Sequence, residues 1–174
     1  MEQILELKDI VKDAYYHDKT GMLLKGDCLE WMAKFPDKSI DMILCDLPYG
    51  TTACKWDIII PFELLWKQYE RIIKDNGAMV LTASQPFTSA LVMSNPNIFR
   101  YEWIWEKNTS SGFVNAKKLP MKCHENVLIF YKKIPTYNPI YQEYNPNTVK
   151  RFEKNGWVTA NKSFETKTYE IYGL

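Results

Sequence analysis

The chain has 174 residues, of which 46% are hydrophobic and 25% are charged, and its formal net charge is +1. This composition is typical of a globular domain with a core, and the balanced charge argues neither for nor against a polyanionic partner. No apolar run approaches the ~20 residues that span a bilayer, so we expect no membrane segment and a cytoplasmic location. The four cysteines form no Cys-x-x-Cys pair, which predicts reduced thiols and no metal site.

The first predicted elements are a helix, a strand and a second helix. Apolar residues at helical spacing predict a short N-terminal helix over residues 3–16, and Met22-Leu23-Leu24 predicts a short strand. Asp27 with Glu30 three positions later is typical of a capping box, which begins a helix that runs through Phe35.

The middle of the chain continues this alternation. The apolar run from Ser39 to Cys45 predicts a strand that is buried on both faces. Pro61 suits the first turn of a helix, and Asn76-Gly77 is expected to end it. The following strand, helix, strand and strand are predicted over residues 78–82, 86–93, 99–105 and 126–131. The order predicts an α/β fold with a mostly parallel sheet, and an antiparallel hairpin at one edge because no helix separates the last two strands.

Composition changes near residue 134, where Tyr, Asn and Pro become frequent and helical periodicity fades. We therefore predict an α/β region over residues 1–133 and a loop-rich appendage over residues 134–174. No internal repeat or low-complexity tract interrupts either region.

The most specific feature is the corner Asp46-Leu47-Pro48-Tyr49, which directly follows the apolar strand. The Asp46 carboxylate and the Leu47 carbonyl can accept both hydrogens of an exocyclic amine, which localises the nitrogen lone pair for attack on a methyl sulfonium. Tyr49 can stack on a nucleobase that has left its duplex. The structural alternative is that Asp46 caps a turn, Pro48 stiffens it and Tyr49 covers the end of the sheet.

Two further loops are expected near this corner. Ligands of open α/β sheets bind beyond the carboxyl ends of the strands. Gly26-Asp27 and Thr82-Ala83-Ser84-Gln85 each follow a predicted strand, as Asp46 does. The sequence therefore predicts that three loops converge on one rim of the sheet.

The stretch from Leu44 to Gly50 resembles the Asp-Pro-Pro-Tyr motif of the DNA methyltransferases that act on amino groups and use S-adenosylmethionine. Further stretches look like blocks of the adenine-N6 enzymes of phages and bacteria: Gly26-Asp27-Cys28-Leu29-Glu30, Cys54-Lys55-Trp56-Asp57, Thr82-Ala83-Ser84-Gln85-Pro86-Phe87, Trp103-Ile104-Trp105-Glu106-Lys107 and His124-Glu125-Asn126-Val127-Leu128-Ile129-Phe130. The resemblance covers roughly residues 22–133. It implies a partial Rossmann-like methyltransferase fold and a flipped adenine in double-stranded DNA as the acceptor.

The same resemblance implies roles for individual residues. Asp46, Leu47, Pro48 and Tyr49 would be catalytic, and Asp27 and Asp46 would contact S-adenosylmethionine. For Asp27, a helix N-cap is also a sufficient structural role. An Asp at the first position of the motif favours adenine N6, whereas a Ser would favour cytosine N4.

The chain departs from the family in two places. Leu47 replaces the first proline of the motif, which keeps the backbone acceptor. The seven glycines include no Gly-x-Gly pair, so the Phe-x-Gly-x-Gly cofactor signature that the family carries after this motif does not occur. We therefore expect the catalytic half of such an enzyme, with residues 134–174 as the candidate start of a target-recognition region. A complementing half or a second copy is the expected partner besides DNA, and the alternative is a non-catalytic nucleic-acid-binding or assembly subunit.

Residues 107–133 are locally basic, with six lysines against the single acid Glu125. Lysines near a target-base pocket are suited to phosphate contacts. The candidates are Lys107, Lys117, Lys118 and Lys122. The alternative is a solvated loop beside a hairpin.

Overall fold

The structure is a computed structural model that describes residues 7–139. The chain divides into two compact units, Met1–Thr136 and Tyr137–Leu174, and the fold below is that of the first. The loop-rich appendage predicted over residues 134–174 lies almost entirely outside the described residues. Between residues 7 and 139, no helix is long and apolar enough to cross a bilayer.

The elements follow one another in the order α1 (Leu7–Lys12), β1 (Tyr16–His17), β2 (Met22–Leu23), α2 (Cys28–Lys34), β3 (Ile40–Asp46), α3 (Phe62–Ile72), β4 (Ile73–Ala83), α4 (Phe87–Ser94), β5 (Phe99–Ser111), a 3-10 turn (Phe113–Asn115) and β6 (Lys122–Phe130). The first residues of the predicted N-terminal helix lie outside the described range. The predicted strand at Met22 is correct, but it pairs with β1 in a separate two-stranded ribbon.

The main sheet has four strands in the order β3-β4-β6-β5. β3 and β4 run parallel, whereas β6 runs antiparallel to both of its neighbours. The α/β class and the antiparallel hairpin at one edge are confirmed. The described sheet is mixed, however, and not mostly parallel. The short connection between β5 and β6 contains no crossover helix, so β6 can return only antiparallel, and it inserts between β5 and β4.

Helices cover one face of this sheet, because apolar residues alternate along its central strands. Met79 and Leu81 of β4 and Leu128 and Phe130 of β6 are fully buried or nearly so. α3 packs against β4 and α4 packs against β6. The ring of Trp66 in α3 lies 4.9 Å from that of Phe130, centroid to centroid. We call this side of the sheet the covered face.

The opposite side, which we call the open face, carries the alternate residues of the same strands. Met42 and Leu44 of β3 point there and are 56% and 66% exposed. The expectation that this strand is buried on both faces is therefore wrong. β3 is an edge strand of the described sheet. Its apolar sequence predicts a strand, but it does not show whether another element covers both of its faces.

α2 is tied to α3 by one side chain. The Arg71 guanidinium of α3 donates to the carbonyls of Met32 at 2.6 Å and Phe35 at 2.7 Å, and it pairs with Asp37 at 2.7 Å. The last carbonyls of a helix have no partner within the helix itself. Arg71 therefore satisfies the end of α2 and holds that helix beside the sheet.

β4 begins earlier than expected, because α3 ends at Ile72 and not at Asn76-Gly77. Gly77 lies inside β4, where a Cβ would stand 2.7 Å from the Asp41 carbonyl and 2.7 Å from the Ile73 side chain. The β3–β4 pairing is irregular at this point, between Ile40 and Met42. Glycine is thus needed for the close approach of β3.

Candidate active site

The corner Asp46-Leu47-Pro48-Tyr49 lies at the carboxyl end of β3, beside the carboxyl end of β4. Asp46 is the last residue of β3 and the register partner of Thr82. The Thr82 hydroxyl donates a hydrogen bond to Asp46 Oδ1. Two of the three loops expected to converge are therefore in direct contact.

Tyr49 folds back over Asp46. Its hydroxyl lies 2.8 Å from Asp46 Oδ1 and 2.9 Å from Thr82 Oγ1. Its ring stacks on that of Phe87, with centroids 5.2 Å apart and an angle of 25° between the planes. Burial raises the pKa of the Tyr49 phenol above its ordinary value. One face of the ring is thus taken by Phe87, and the hydroxyl is held at the carboxylate.

Two acceptor atoms at the corner accept no hydrogen bond from the described residues. Thr82 and Tyr49 both reach Oδ1 of Asp46, and no donor in the described part of the chain reaches Oδ2. The Leu47 carbonyl also accepts no hydrogen bond from any residue between 7 and 139. The Leu47 side chain is buried in the core and anchors the corner. Adjacent residues therefore offer two acceptors at the end of one strand, which is what an amino group with two hydrogens requires.

The loop after the corner is held by Asp57, which is not among the site residues predicted from the sequence. Its Oδ1 accepts from the Gly50 N–H at 2.8 Å, and its Oδ2 accepts from the N–H groups of Thr51 at 2.9 Å and Thr52 at 2.7 Å. Hydrogen bonds from the Thr52 hydroxyl and from these backbone groups lower the pKa of Asp57 to about 2. A loop of small residues outside any helix or strand needs a hydrogen-bond acceptor for its N–H groups. That requirement is the feature of the sequence that could have identified Asp57.

Asp27 is the N-cap of α2, as predicted. Its Oδ1 accepts from the N–H groups of Leu29 at 2.8 Å and Glu30 at 3.3 Å. Oδ2 accepts from no described residue, so the capping role leaves one oxygen for a ligand. Burial and the neighbouring Asp27 carboxylate raise the pKa of the Cys28 thiol. No hydrogen bond joins Asp27 to the corner itself, and its strand β2 belongs to the separate ribbon.

The described residues do not form a complete site for S-adenosylmethionine. Gly26 and Gly50 have positive φ angles of 141° and 67°. A Cβ on Gly26 would stand 2.9 Å from the Trp31 indole nitrogen, and one on Gly50 would stand 3.0 Å from the Ile59 side chain. Both glycines make room for the protein's own side chains. Asp27 Oδ2 fits an adenine amino group, but between residues 7 and 139 these turns make no cradle for a ribose or a methionine.

The four candidate lysines differ in their surroundings. Lys107 pairs with Glu125 and lies over the Trp105 ring, 5.4 Å from its centroid. Lys122 Nζ donates to the Ser84 hydroxyl. Lys117 and Lys118 are exposed, with no ion pair to any residue in the described range. Lys122 therefore links the hairpin to the rim of the sheet. The two lysines without a described ion pair, Lys117 and Lys118, lie in the loop of the hairpin.

No family model matches the chain. In sequence it is 26% identical over 163 residues to the Type II methyltransferase M.HinfI of Haemophilus influenzae. That alignment covers 73% of this chain and 45% of M.HinfI, so the chain spans about half the length of this curated relative.

The fold is similar to that of the PvuII DNA methyltransferase, which is described as cytosine-N4-specific. The TM-score is 0.59 at 14% identity, over 83% of this chain and 66% of that chain. A weaker likeness, with a TM-score of 0.46 at 18% identity, is to the M1.HpyAVI–SAM complex, over 70% of this chain and 60% of that one. This chain therefore has the α/β fold of a methyltransferase and is similar in sequence to a type II methyltransferase.

Proposed function

We propose that this chain holds the acceptor base in a site-specific DNA methyltransferase, in which a methyl group passes from S-adenosylmethionine to an exocyclic amino nitrogen. The observation that carries the proposal is the pair of unclaimed acceptors, Asp46 Oδ2 and the Leu47 carbonyl. The sequence similarity to M.HinfI and the fold of the PvuII enzyme support the same reaction class.

The chemistry requires the amino nitrogen to become a nucleophile. Its lone pair is delocalised into the base, and two acceptors that take both hydrogens draw the nitrogen toward tetrahedral geometry. Thr82 and Tyr49 fix the Asp46 carboxylate through Oδ1, so Oδ2 can be held in place for the amine. The carboxylate can then take the proton that the substituted nitrogen loses. The cofactor, when bound, supplies the electrophilic methyl group.

We assign the target base to the face of the Tyr49 ring that lies opposite Phe87. Phe87 already occupies the other face of that ring. Stacking of one base on an aromatic ring is worth roughly 1–3 kcal/mol, which offsets part of the cost of taking a base out of its duplex. Pro48 limits the backbone between the two acceptors and the ring.

We further assign adenine N6 as the acceptor, because the resemblance associates an Asp at the first motif position with adenine. The PvuII enzyme is described as cytosine-N4-specific, so the shared fold does not choose between the two bases. Analysis of the methylated nucleosides distinguishes them. N6-methyladenine is the expected product, and N4-methylcytosine would overturn this assignment.

We propose that a complementing half supplies the donor side of the reaction, because this sequence contains no Gly-x-Gly pair. We expect the 174-residue chain alone to transfer little labelled methyl group to DNA, and we expect co-expression with a segment that carries Phe-x-Gly-x-Gly to restore transfer. In that complex Asp46→Ala should abolish transfer. Asp41→Ala is the matched control, since Asp41 is an exposed acid on the same strand. Transfer that survives Asp46→Ala would refute the catalytic assignment.

The alternative, a non-catalytic nucleic-acid-binding or assembly subunit, rests on the lack of a Gly-x-Gly pair in the sequence, and the similarity to M.HinfI does not favour it. Such a subunit would bind DNA through the hairpin and never support transfer. DNA binding without transfer in every combination with a cofactor-binding half would establish it and exclude the enzyme.

A further inference from the structure

The loop between β5 and β6 exposes apolar side chains at its tip. Phe113 and Val114 are 77% and 78% exposed. The loop is nevertheless closed by its own hydrogen bonds, since the Asn115 N–H donates to the Gly112 carbonyl at 3.0 Å and the Leu119 N–H to the Asn115 carbonyl at 2.9 Å. Gly112 adopts the left-handed conformation, with φ at 88°, that starts this turn. A bonded loop therefore presents two apolar side chains to the solvent.

The charge around this tip suits a polyanion. Lys117 and Lys118 lie just beyond the 3-10 turn, after Ala116, and form no ion pair within the described residues. No acidic residue occurs from Lys107 to His124. Apolar side chains flanked by unpaired cations match duplex DNA, in which phosphates surround a stack of apolar base faces.

The loop is also fixed relative to the corner. Asn126 is the first residue of β6 that pairs with β4, and β6 begins four residues earlier, at Lys122. At about 3.3 Å per residue, the hairpin extends roughly 13 Å past the rim. Lys122 bonds Ser84, which follows β4 directly. The loop therefore projects from the same rim that carries Asp46.

We propose that Phe113 and Val114 form a wedge that enters the base stack of duplex DNA beside the base held at Asp46, with the Phe113 ring stacking in the gap that this base leaves. The inference rests on the proposed function, because it takes DNA as the acceptor. It separates two tasks in one hairpin: the lysines hold the phosphates, and the ring stabilises the opened duplex. A wedge of this kind lowers the cost of removing a base from the stack.

The test uses the 174-residue chain and a fluorescently labelled short duplex, either fully paired or with one abasic position. The abasic duplex has already lost a stacked base, so the wedge should enter it at lower cost. We expect the wild-type chain to prefer the abasic duplex by roughly 5- to 150-fold, the range that stacking on one ring supplies. Phe113→Ala should bind both duplexes alike, and Phe113→Trp should keep the preference because it keeps a ring.

Ile134→Ala is the matched control, because Ile134 is 80% exposed and follows the opposite end of β6. It should bind like the wild type. An unchanged preference in Phe113→Ala, or a preference lost equally in Ile134→Ala, would overturn the wedge and leave the DNA methyltransferase proposal standing. Failure of the wild-type chain to bind either duplex would overturn both. Concentration-dependent association of the wild type that Phe113→Ala abolishes would assign the tip to a protein contact and also overturn the wedge.

Discussion

The two faces of the four-stranded sheet have different roles, although the same strands form both. On the covered face, side chains such as Leu81 and Leu128 are wholly buried under α3 and α4. On the open face, one row of register partners runs across all four strands: Asp46, Thr82, Val127 and Trp103. Because side chains alternate with a period of two, adjacent residues of β4 belong to different faces. Consecutive residues of β4 therefore contribute in turn to the buried core and to the face that carries the candidate site.

The largest expected effect tests this separation on the covered face. Leu81→Ala removes a fully buried side chain, so it should lower the free energy of unfolding by about 2–5 kcal/mol. Leu44→Ala, on the open face of β3, should change it by less than about 0.5 kcal/mol. Urea unfolding of both variants measures the difference. Equal losses would mean that the open face is covered in the folded chain.

The next largest effect is expected in the loop over residues 50–57, which follows the corner. Asp57→Asn replaces one carboxylate oxygen with an amide nitrogen that cannot accept from the three N–H groups. We expect the loop over residues 50–57 to open, with several-fold faster tryptic cleavage at Lys55. Asp41→Asn is the control, since that acid is exposed and pairs with Lys74. An unchanged cleavage rate would show that Asp57 does not hold the loop.

The same residue predicts a pH dependence. The pKa of Asp57 is lowered from an ordinary value of 3.8 to about 2 in the folded chain. Its stabilising contribution is therefore fully present above about pH 4 and is lost as the pH falls toward about 2. Unfolding midpoints across this range should fall more steeply for the wild type than for Asp57→Asn. Parallel curves would contradict the assignment.

A smaller effect tests whether the three side chains at the corner act together. Thr82→Val and Tyr49→Phe each remove one donor to Asp46 Oδ1, and each should cost about 1 kcal/mol of stability. Because they share one acceptor, the double variant should depart from additivity by about 0.5 kcal/mol or more. Tyr49→Phe combined with Ser89→Ala, which loses only a bond to Gln85, should be additive. Additivity in both pairs would show that the corner is not one network.

The smallest effect separates the hairpin loop from the far end of the same strand. Lys117→Gln with Lys118→Gln should lower the slope of the logarithm of the DNA-binding constant against the logarithm of salt concentration by about 1.8, since each phosphate contact contributes about 0.9. The matched double variant is Lys132→Gln with Lys133→Gln, whose lysines pair with Glu70 and Asp75. That control should leave the slope unchanged. Equal slopes for both double variants would contradict the placement of the phosphates.

Local signals in the sequence predicted what depends on local geometry. Asp27 with Glu30 predicted the start of α2, because an N-cap is satisfied within three residues. The apolar run before Asp46 predicted a strand that ends at the corner, and β3 does end there. The β5–β6 hairpin was also foreseen, although the strands extend further into the loop than the alternation of apolar residues indicated.

Features that depend on distant contacts were missed. The apolar run of β3 indicates that its side chains avoid water, but it does not specify a covering layer for Met42 and Leu44. Gly77 looked like a helix end, because its real role depends on the approach of Asp41 from another strand. The hydrogen bond between Thr82 and Asp46 follows from the parallel register, which no spacing within either strand reveals.

β3 also has an outer backbone edge, which pairs with no other strand among residues 7–139. An edge strand of this kind presents a row of free N–H and C=O groups to any extended chain that meets it. Asp41 is the charge along β3 that opposes such pairing before Asp46 is reached. A lysine introduced at Met42 or Leu44 would add charge along this edge, and we expect it to lower any strand-mediated self-association of concentrated preparations.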